Sequence, residues 1–173
     1  MTPFPWTDVV ILVGLVLLNG LFAMSELAIV SARPARLKIA ADKGSRGAAV
    51  ALRLASDPGK FLSTVQSGIT LIGVVAGAYS GTHLGEPLGE RLAAMGVPAR
   101  WAGDAGFTLA IVGTTYINLV IGELVPKQVA LRVSEPIAIH SSRPMAVFAR
   151  VTAPLVWVLD RSSRLFLRLL GVR

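Results

Sequence analysis

The stretch TDVVILVGLVLLNGLFAMSELAI, Thr7 to Ile29, decides the class of fold. It is almost uninterrupted apolar sequence, and it is long enough to cross the hydrocarbon layer as a helix, which takes roughly 20 residues. No Lys or Arg precedes Thr7, so the stretch lacks the basic region that opens a cleaved signal peptide. We therefore predict a retained membrane-spanning helix over 7–29.

Two further apolar runs, 61–80 and 105–125, are also long enough to span. The 173 residues are 53% hydrophobic and only 16% charged, whereas soluble domains carry about 25% charged residues. The mean hydropathy is +0.65. Cysteine is absent, which excludes disulfides, thiolate metal sites and cysteine nucleophiles. The sequence predicts an all-α integral membrane protein, with residues 1–173 forming a single domain of three transmembrane helices.

The basic residues predict the orientation. Of the 17 Lys and Arg residues, only Arg91 and Arg100 lie between the second and third runs. The positive-inside rule then predicts a protein of the cell (inner) membrane, with its N-terminus outside and its C-terminus in the cytoplasm. The same distribution explains the net charge of +7 without a nucleic-acid partner. The outer loop, 81–103, is expected to hold a small helix around 84–95. The other basic residues flank the predicted cytoplasmic ends of the runs: Arg33, Arg36, Lys38, Lys43, Arg46, Arg53, Lys60, Lys127, Arg132, Arg143, Arg150, Arg161, Arg164, Arg168 and Arg173.

The segment 33–56 has the pattern of a short cytoplasmic helical hairpin. Pro34 suits its first helical turn, and Gly44 suits the turn between two helices. After it, Asp57 is placed to cap the second spanning helix, with Pro58 at the first helical position.

The C-terminal part allows two interpretations. The apolar run 145–159 is interrupted by Arg150 and Pro154, and a fourth span would carry the last arginines outside, against the charge rule. Those arginines recur every three or four residues, which makes a basic face on an amphipathic helix. We favour a juxtamembrane helix of about 144–170 on the cytoplasmic interface, facing anionic lipids, with Trp157 as its anchor.

The second run carries a polar face. At the helical repeat, seven small or polar residues fall on one side, and apolar residues fall on the other. Such a face favours either close packing between membrane helices or a ligand-binding surface, and both can hold together. The residues are Ser63, Gln66, Ser67, Thr70, Gly73, Gly77 and Ser80.

The first run also carries polar residues, Asn19, Ser25 and Glu26. Asn19 and Glu26 are seven positions apart and share a face, whereas Ser25 is turned away by about 100°. Glu26 could be a ligand, a protonated or snorkelling carboxyl, or a partner for Arg33.

The third run ends in INLVIGELVPKQV, Ile117 to Val129. Pro126 has no N–H and cannot donate to the carbonyl four residues back, which belongs to Gly122. That carbonyl and the Glu123 carboxylate are hard oxygen donors, to which the hydroxyls of Ser25 and Ser67 can add. Hard oxygens without thiol or imidazole suit Mg²⁺, Ca²⁺ or Na⁺.

The competing account of Glu123 is an ion pair with Lys127 at the favourable i,i+4 spacing. On α-helical angles, Asn118 points nearly opposite to Glu123 and suggests an interhelical hydrogen bond. No serine has a histidine on a neighbouring face, so the sequence gives no support for hydrolysis, and we expect no enzyme.

Three segments resemble the membrane domain of the CorC/CNNM family of magnesium transporters. They are FAMSELAIVSARPARL at 22–37, TVQSGITLIGVVAGAYSG at 64–81 and VIGELVPKQVAL at 120–131. The resemblance implies a homodimer of three membrane helices and a juxtamembrane helix that exports Mg²⁺ against Na⁺ entry. The family's cytoplasmic nucleotide-binding and C-terminal domains are missing here, so we expect an isolated membrane domain or a truncated form.

Carried over position by position, the resemblance assigns the Mg²⁺ ligands to five residues, Ser25, Ser67, Gly73, Gly122 and Glu123. Gly73 departs from the family pattern, because much of the family has an asparagine there. Two alternatives to a Na⁺-coupled exporter stay open, a Mg²⁺-sensing membrane subunit that does not transport and a cation channel.

Overall fold

The computed structural model describes residues 3–171 and is helical almost throughout. Arg173, counted above among the cytoplasmic cations, lies outside the described residues. The order along the chain is given by eight α-helices and one π-helical turn. They are α1 (Trp6–Ser31), α2 (Pro34–Asp42), α3 (Arg46–Ala55), α4 (Pro58–Ala94), α5 (Ala99–Leu119), the π-turn (Val120–Leu124), α6 (Val125–Arg132), α7 (Ser134–Val151) and α8 (Ala153–Leu169).

Three helical segments are long and apolar enough to cross a membrane, namely Trp6–Ser31, Pro58–Ala94 and Ala99–Arg132. Each contains one of the predicted apolar runs, and no β-strand occurs within residues 3–171. The prediction of an all-α membrane protein with three spanning helices is therefore confirmed.

The described residues form two compact units. The first comprises the chain up to residue 24 together with 69–129, and the second comprises 25–68 together with 130–171.

In the first unit, side-chain and backbone atoms of α5 pack directly against glycines of α4. A Cβ at Gly85 would lie 3.1 Å from the Cα of Phe107, and one at Gly89 would lie 2.9 Å from the carbonyl oxygen of Ala102. The Ser80 hydroxyl donates to the carbonyl of Ala110 over 3.3 Å. Small residues thus allow the two helices to approach closely, as the packing interpretation of the polar face expects.

The outer loop differs from the prediction. Residues 84–94 are helical as predicted, but they do not form a small helix of their own, because α4 continues without interruption to Ala94 and contains Pro87. The glycine contacts with α5 stabilise the continuation, so tertiary packing overrides the local helix-breaking tendency. The helix ends in a Schellman motif at Gly96, where φ is +103°.

In the second unit, α2 and α3 pack together, and α3 packs against α7. The turn between α2 and α3 is a Schellman motif at Gly44, with φ of +94°, as the turn prediction requires. The Ser142 hydroxyl of α7 donates to the Gly47 carbonyl over 2.7 Å. The predicted helix pair at 33–56 therefore forms, while its cytoplasmic location stays a prediction.

The start of α4 follows the sequence closely. Helix α4 begins at Pro58, and the Asp57 carboxylate accepts a hydrogen bond from the backbone N–H of Lys60 over 3.3 Å. The predicted cap is confirmed. At the C-terminal end, residues 144–170 are divided between α7 and α8, because the helix breaks at Thr152 just before Pro154.

Candidate cation-binding site

The third spanning segment changes its hydrogen-bond pattern at Val120–Leu124, which forms a π-helical turn. The N–H of Val125 donates to the carbonyl of Val120, five residues back instead of four. The cause lies in the sequence, because Pro126 cannot supply the next i,i+4 bond to Gly122. Single π-turns inside α-helices are frequent at functional sites.

The Gly122 carbonyl finds its partner on another helix. Asn19 of α1 is fully buried, and its Nδ2 donates to the Gly122 carbonyl oxygen over 3.1 Å. The sequence predicted that this carbonyl would lose its helical partner, and a carbonyl at membrane depth needs another from protein, water or an ion. The structure supplies a side-chain amide.

Close backbone approach makes this hydrogen bond possible. A Cβ at Gly20 would lie 3.3 Å from the carbonyl oxygen of Ile121 and 3.1 Å from the Cγ of Pro126. A Cβ at Gly122 would lie 2.7 Å from the Oδ1 of Asn118 and 3.3 Å from the Nδ2 of Asn19. The missing side chains at positions 20 and 122 therefore let α1 contact the π-turn.

Asn118 connects two of the predicted site residues. Its Oδ1 lies beside Gly122, and its Nδ2 is 3.5 Å from the position that a Cβ of Gly73 would occupy. Gly73 thus lies near the nitrogen of the Asn118 amide, and Gly122 lies near its oxygen. This placement makes Asn118 a candidate ligand that the sequence analysis did not choose.

The reason for the omission is the π-turn itself. Sequence reasoning placed Asn118 nearly opposite to Glu123 by using 100° per residue through the whole segment. The π-turn inserts an extra residue between hydrogen-bonded partners, so the faces before and after it no longer share one register. Only the Gly122–Pro126 spacing signalled the change.

Glu123 forms the ion pair that was its competing explanation. Its Oε1 lies 2.8 Å from the Nζ of Lys127, and the two side chains are 27% and 29% exposed. The Glu123 carboxylate thus remains at the π-turn, but Lys127 neutralises its charge. A cation at Glu123 must therefore compete with Lys127.

The two hydroxyl candidates belong to the second unit. Ser25 is 3% exposed, and the Ser67 hydroxyl donates to the carbonyl of Ser63 over 2.7 Å. Their assignment to a shared cation site therefore stays a prediction, as does the complete set of five ligands.

The chemistry of the first-unit residues is that of neutral oxygens. Amide and peptide carbonyl oxygens, with one paired carboxylate, are ligands for hard cations. Across residues 3–171 no group of three or more His, Cys, Asp or Glu side chains is placed to hold a metal ion. A cation here would depend on carbonyl, amide and hydroxyl groups.

Comparison with known proteins assigns the family. A sequence model of the Cyclin M transmembrane N-terminal domain (CNNM) matches residues 10–173. The chain is 47% identical over 158 residues to UPF0053 protein sll0260 of Synechocystis, covering 91% of this chain and 35% of that protein. It is 30% identical over 156 residues to UPF0053 inner membrane protein YfjD of Escherichia coli, covering 90% and 33%.

A third relative is named for a cargo. The chain is 25% identical over 161 residues to the polyamine export protein of Haemophilus influenzae, covering 93% of this chain and 37% of that protein. The chain spans about a third of the length of these relatives. The resemblance inferred from the three motif segments is confirmed over nearly the whole sequence. With its three spanning helices, the chain is a multi-pass membrane protein that belongs to the CNNM transmembrane-domain family.

Proposed function

We propose that this chain is the membrane domain of a Mg²⁺ transporter that exports Mg²⁺ against Na⁺ entry by alternating access. The observation that supports it most is the π-turn, which directs the Gly122 carbonyl toward a neighbouring helix. Irregular backbone at membrane depth is tolerated where it is buried in protein or lines a cavity. A transport site is buried in protein and also lines a cavity. It needs backbone oxygens that a regular helix would use in its own hydrogen bonds.

The proposed Mg²⁺ ligands are the oxygens of Ser25, Ser67, Gly73, Gly122 and Glu123. Mg²⁺ must displace Lys127 from Glu123 to use the carboxylate. A partly exposed pair of this kind contributes only about 0–1 kcal/mol, and both side chains are more than a quarter exposed. A divalent cation offers twice the charge of the ammonium group, so the exchange is energetically accessible.

Mg²⁺ flux in proteoliposomes tests the proposal. The wild-type protein should move Mg²⁺ when a Na⁺ gradient is imposed, and Glu123→Ala should reduce the initial rate at least about tenfold (about 1.4 kcal/mol). Glu86→Ala is the matched control, since Glu86 is an exposed carboxylate of the same unit. Equal rates for both variants would remove Glu123 from the site.

The same assay separates the two alternatives. Mg²⁺-dependent thermal stabilisation without flux would indicate a sensing subunit. Flux that needs no Na⁺ and does not saturate would indicate a channel. Either result would replace the coupled exporter.

A polyamine is the second candidate cargo, because one relative carries that name. Several separated ammonium groups call for several carboxylates, whereas the π-turn offers Glu123 already paired with Lys127. This chemistry favours an inorganic cation. Spermidine should therefore not compete with Mg²⁺ flux, and competition at equal charge concentration would favour the polyamine.

We further propose a homodimer in the cell (inner) membrane, with the N-terminus outside and the C-terminus in the cytoplasm. In the third spanning segment only 11% of the most apolar window is buried, against 33% in each of the other two. That exposed apolar face suits lipid or a second copy. The exposed arginines of α8, Arg161, Arg164 and Arg168, suit contact with anionic lipids of the inner leaflet.

A further inference from the structure

Two amide oxygens beside the π-turn are buried and accept no hydrogen bond from any residue of the described chain. They are the Oδ1 atoms of Asn19 and Asn118. The Nδ2 of Asn19 is already used by the Gly122 carbonyl, so rotating that amide would only exchange one orphan atom for another. Buried polar atoms without partners are rare, and each calls for a bound water or ion. In a membrane-spanning unit the demand is stronger, because lipid supplies no donors.

Both amides lie against the same glycine. The Asn118 Oδ1 and the Asn19 Nδ2 are within 2.7 and 3.3 Å of the point that a Gly122 Cβ would occupy. The backbone contact between Gly20 and Ile121 keeps α1 close to the π-turn. The two amides therefore lie close to each other, at the point where α1 contacts the π-turn.

We propose that Asn19 Oδ1 and Asn118 Oδ1 bind a monovalent cation, Na⁺, beside the π-turn. The ligands are uncharged, and the carboxylate that follows Gly122 is paired with Lys127. A divalent ion would bring a second charge that nothing at these two amides compensates in a low-dielectric setting. Broken helices in other membrane proteins hold Na⁺ with such neutral oxygens.

This inference deepens the proposed function, on which it rests only for the coupling step. There it assigns the coupling ion to an asparagine site that uses none of the proposed Mg²⁺ side chains. Binding of Na⁺ itself does not depend on Mg²⁺ transport, so the two ideas can fail separately.

Thermal unfolding of the purified protein in detergent tests the binding, with NaCl titrated against choline chloride at constant ionic strength and no Mg²⁺. The melting temperature of the wild type should rise and saturate with Na⁺. Asn118→Leu keeps the side-chain shape and should abolish the response. Gln128→Leu removes an exposed amide of the same unit and should keep it.

Asn118→Ser provides a second variant if the leucine variant does not fold, and it should weaken the Na⁺ response at least about tenfold. Asn118→Asp adds a charge and should make Mg²⁺ or Ca²⁺ stabilise the protein where Na⁺ did before. An unchanged Na⁺ response in Asn118→Leu or Asn118→Ser, or no Na⁺-specific response in the wild type, would mean that the asparagines hold only water and would overturn the proposal. Loss of Mg²⁺ stabilisation in Glu123→Ala with Na⁺ stabilisation intact would support two separate sites.

Discussion

Gly122→Ala is the sharpest test of the π-turn geometry. The added Cβ would lie 2.7 Å from the Oδ1 of Asn118 and 3.1 Å from the carbonyl oxygen of Val16. The asparagine side chain can rotate, but the Val16 carbonyl belongs to the backbone of α1 and cannot. The helices must therefore separate, and forcing one extra methyl group into such a contact costs about 1–3 kcal/mol.

The energetic cost of the added methyl group can be converted into an expected fall in melting temperature. In a chain of this size each kcal/mol lowers the melting temperature by about 2–4 °C, so a fall of roughly 2–12 °C is expected. The same displacement moves the Gly122 carbonyl away from Asn19, so Mg²⁺ flux should fall as well. Tryptophan fluorescence of the purified protein reports the unfolding, and proteoliposome flux reports the transport.

Gly113→Ala is the matched control on α5. No heavy atom lies within 4 Å of the position of its Cβ, and alanine is the better helix former by about 1 kcal/mol. Its melting temperature should equal or exceed that of the wild type, with flux unchanged. If Gly122→Ala melted like Gly113→Ala and transported normally, the close approach of α1 to the π-turn would be refuted.

Three further predictions address the rest of the fold and site. Gly47→Ala would place a Cβ against the backbone carbonyl of Ile139, so the yield of folded protein should collapse, as measured by size-exclusion chromatography. Asp57→Ala removes the cap of α4 and should lower the stability by about 1 kcal/mol, seen as a melting shift of about 2–4 °C. Pro126→Ala restores an N–H four residues after Gly122 and should return the turn to α-helix, so Mg²⁺ flux should fall while the protein stays folded and monodisperse.

The spanning helices could be predicted from the sequence because lipid imposes one rule on every residue. A chain without water must satisfy its backbone internally, so an apolar run of sufficient length is a helix. The cap at Asp57 and the turn at Gly44 could also be predicted, because each depends on neighbouring residues alone. The same locality explains why Pro126 was enough to predict a released carbonyl at Gly122.

Contacts between distant residues could not be predicted in this way. The amide that reaches Gly122 comes from Asn19, 103 positions earlier, and nothing local to either residue signals the pairing. The continuation of α4 through Pro87 likewise depends on the packing of its glycines against Phe107. The closeness of Asn118 to Gly122 could not be predicted either, because the segment changes its helical type at Val120.

The ion pair between Glu123 and Lys127 does not explain the π-turn. A pair at i,i+4 forms on any regular α-helix, so it requires neither the proline at 126 nor the glycine at 122. The turn gives up a regular backbone hydrogen bond, and it occupies the amide of Asn19, whose own oxygen then lacks a donor within the described chain. Selection for stability alone would remove Pro126 and close the helix. The irregular backbone therefore needs a role that the ion pair cannot supply, and the role that we propose for it is to present oxygens to a cation.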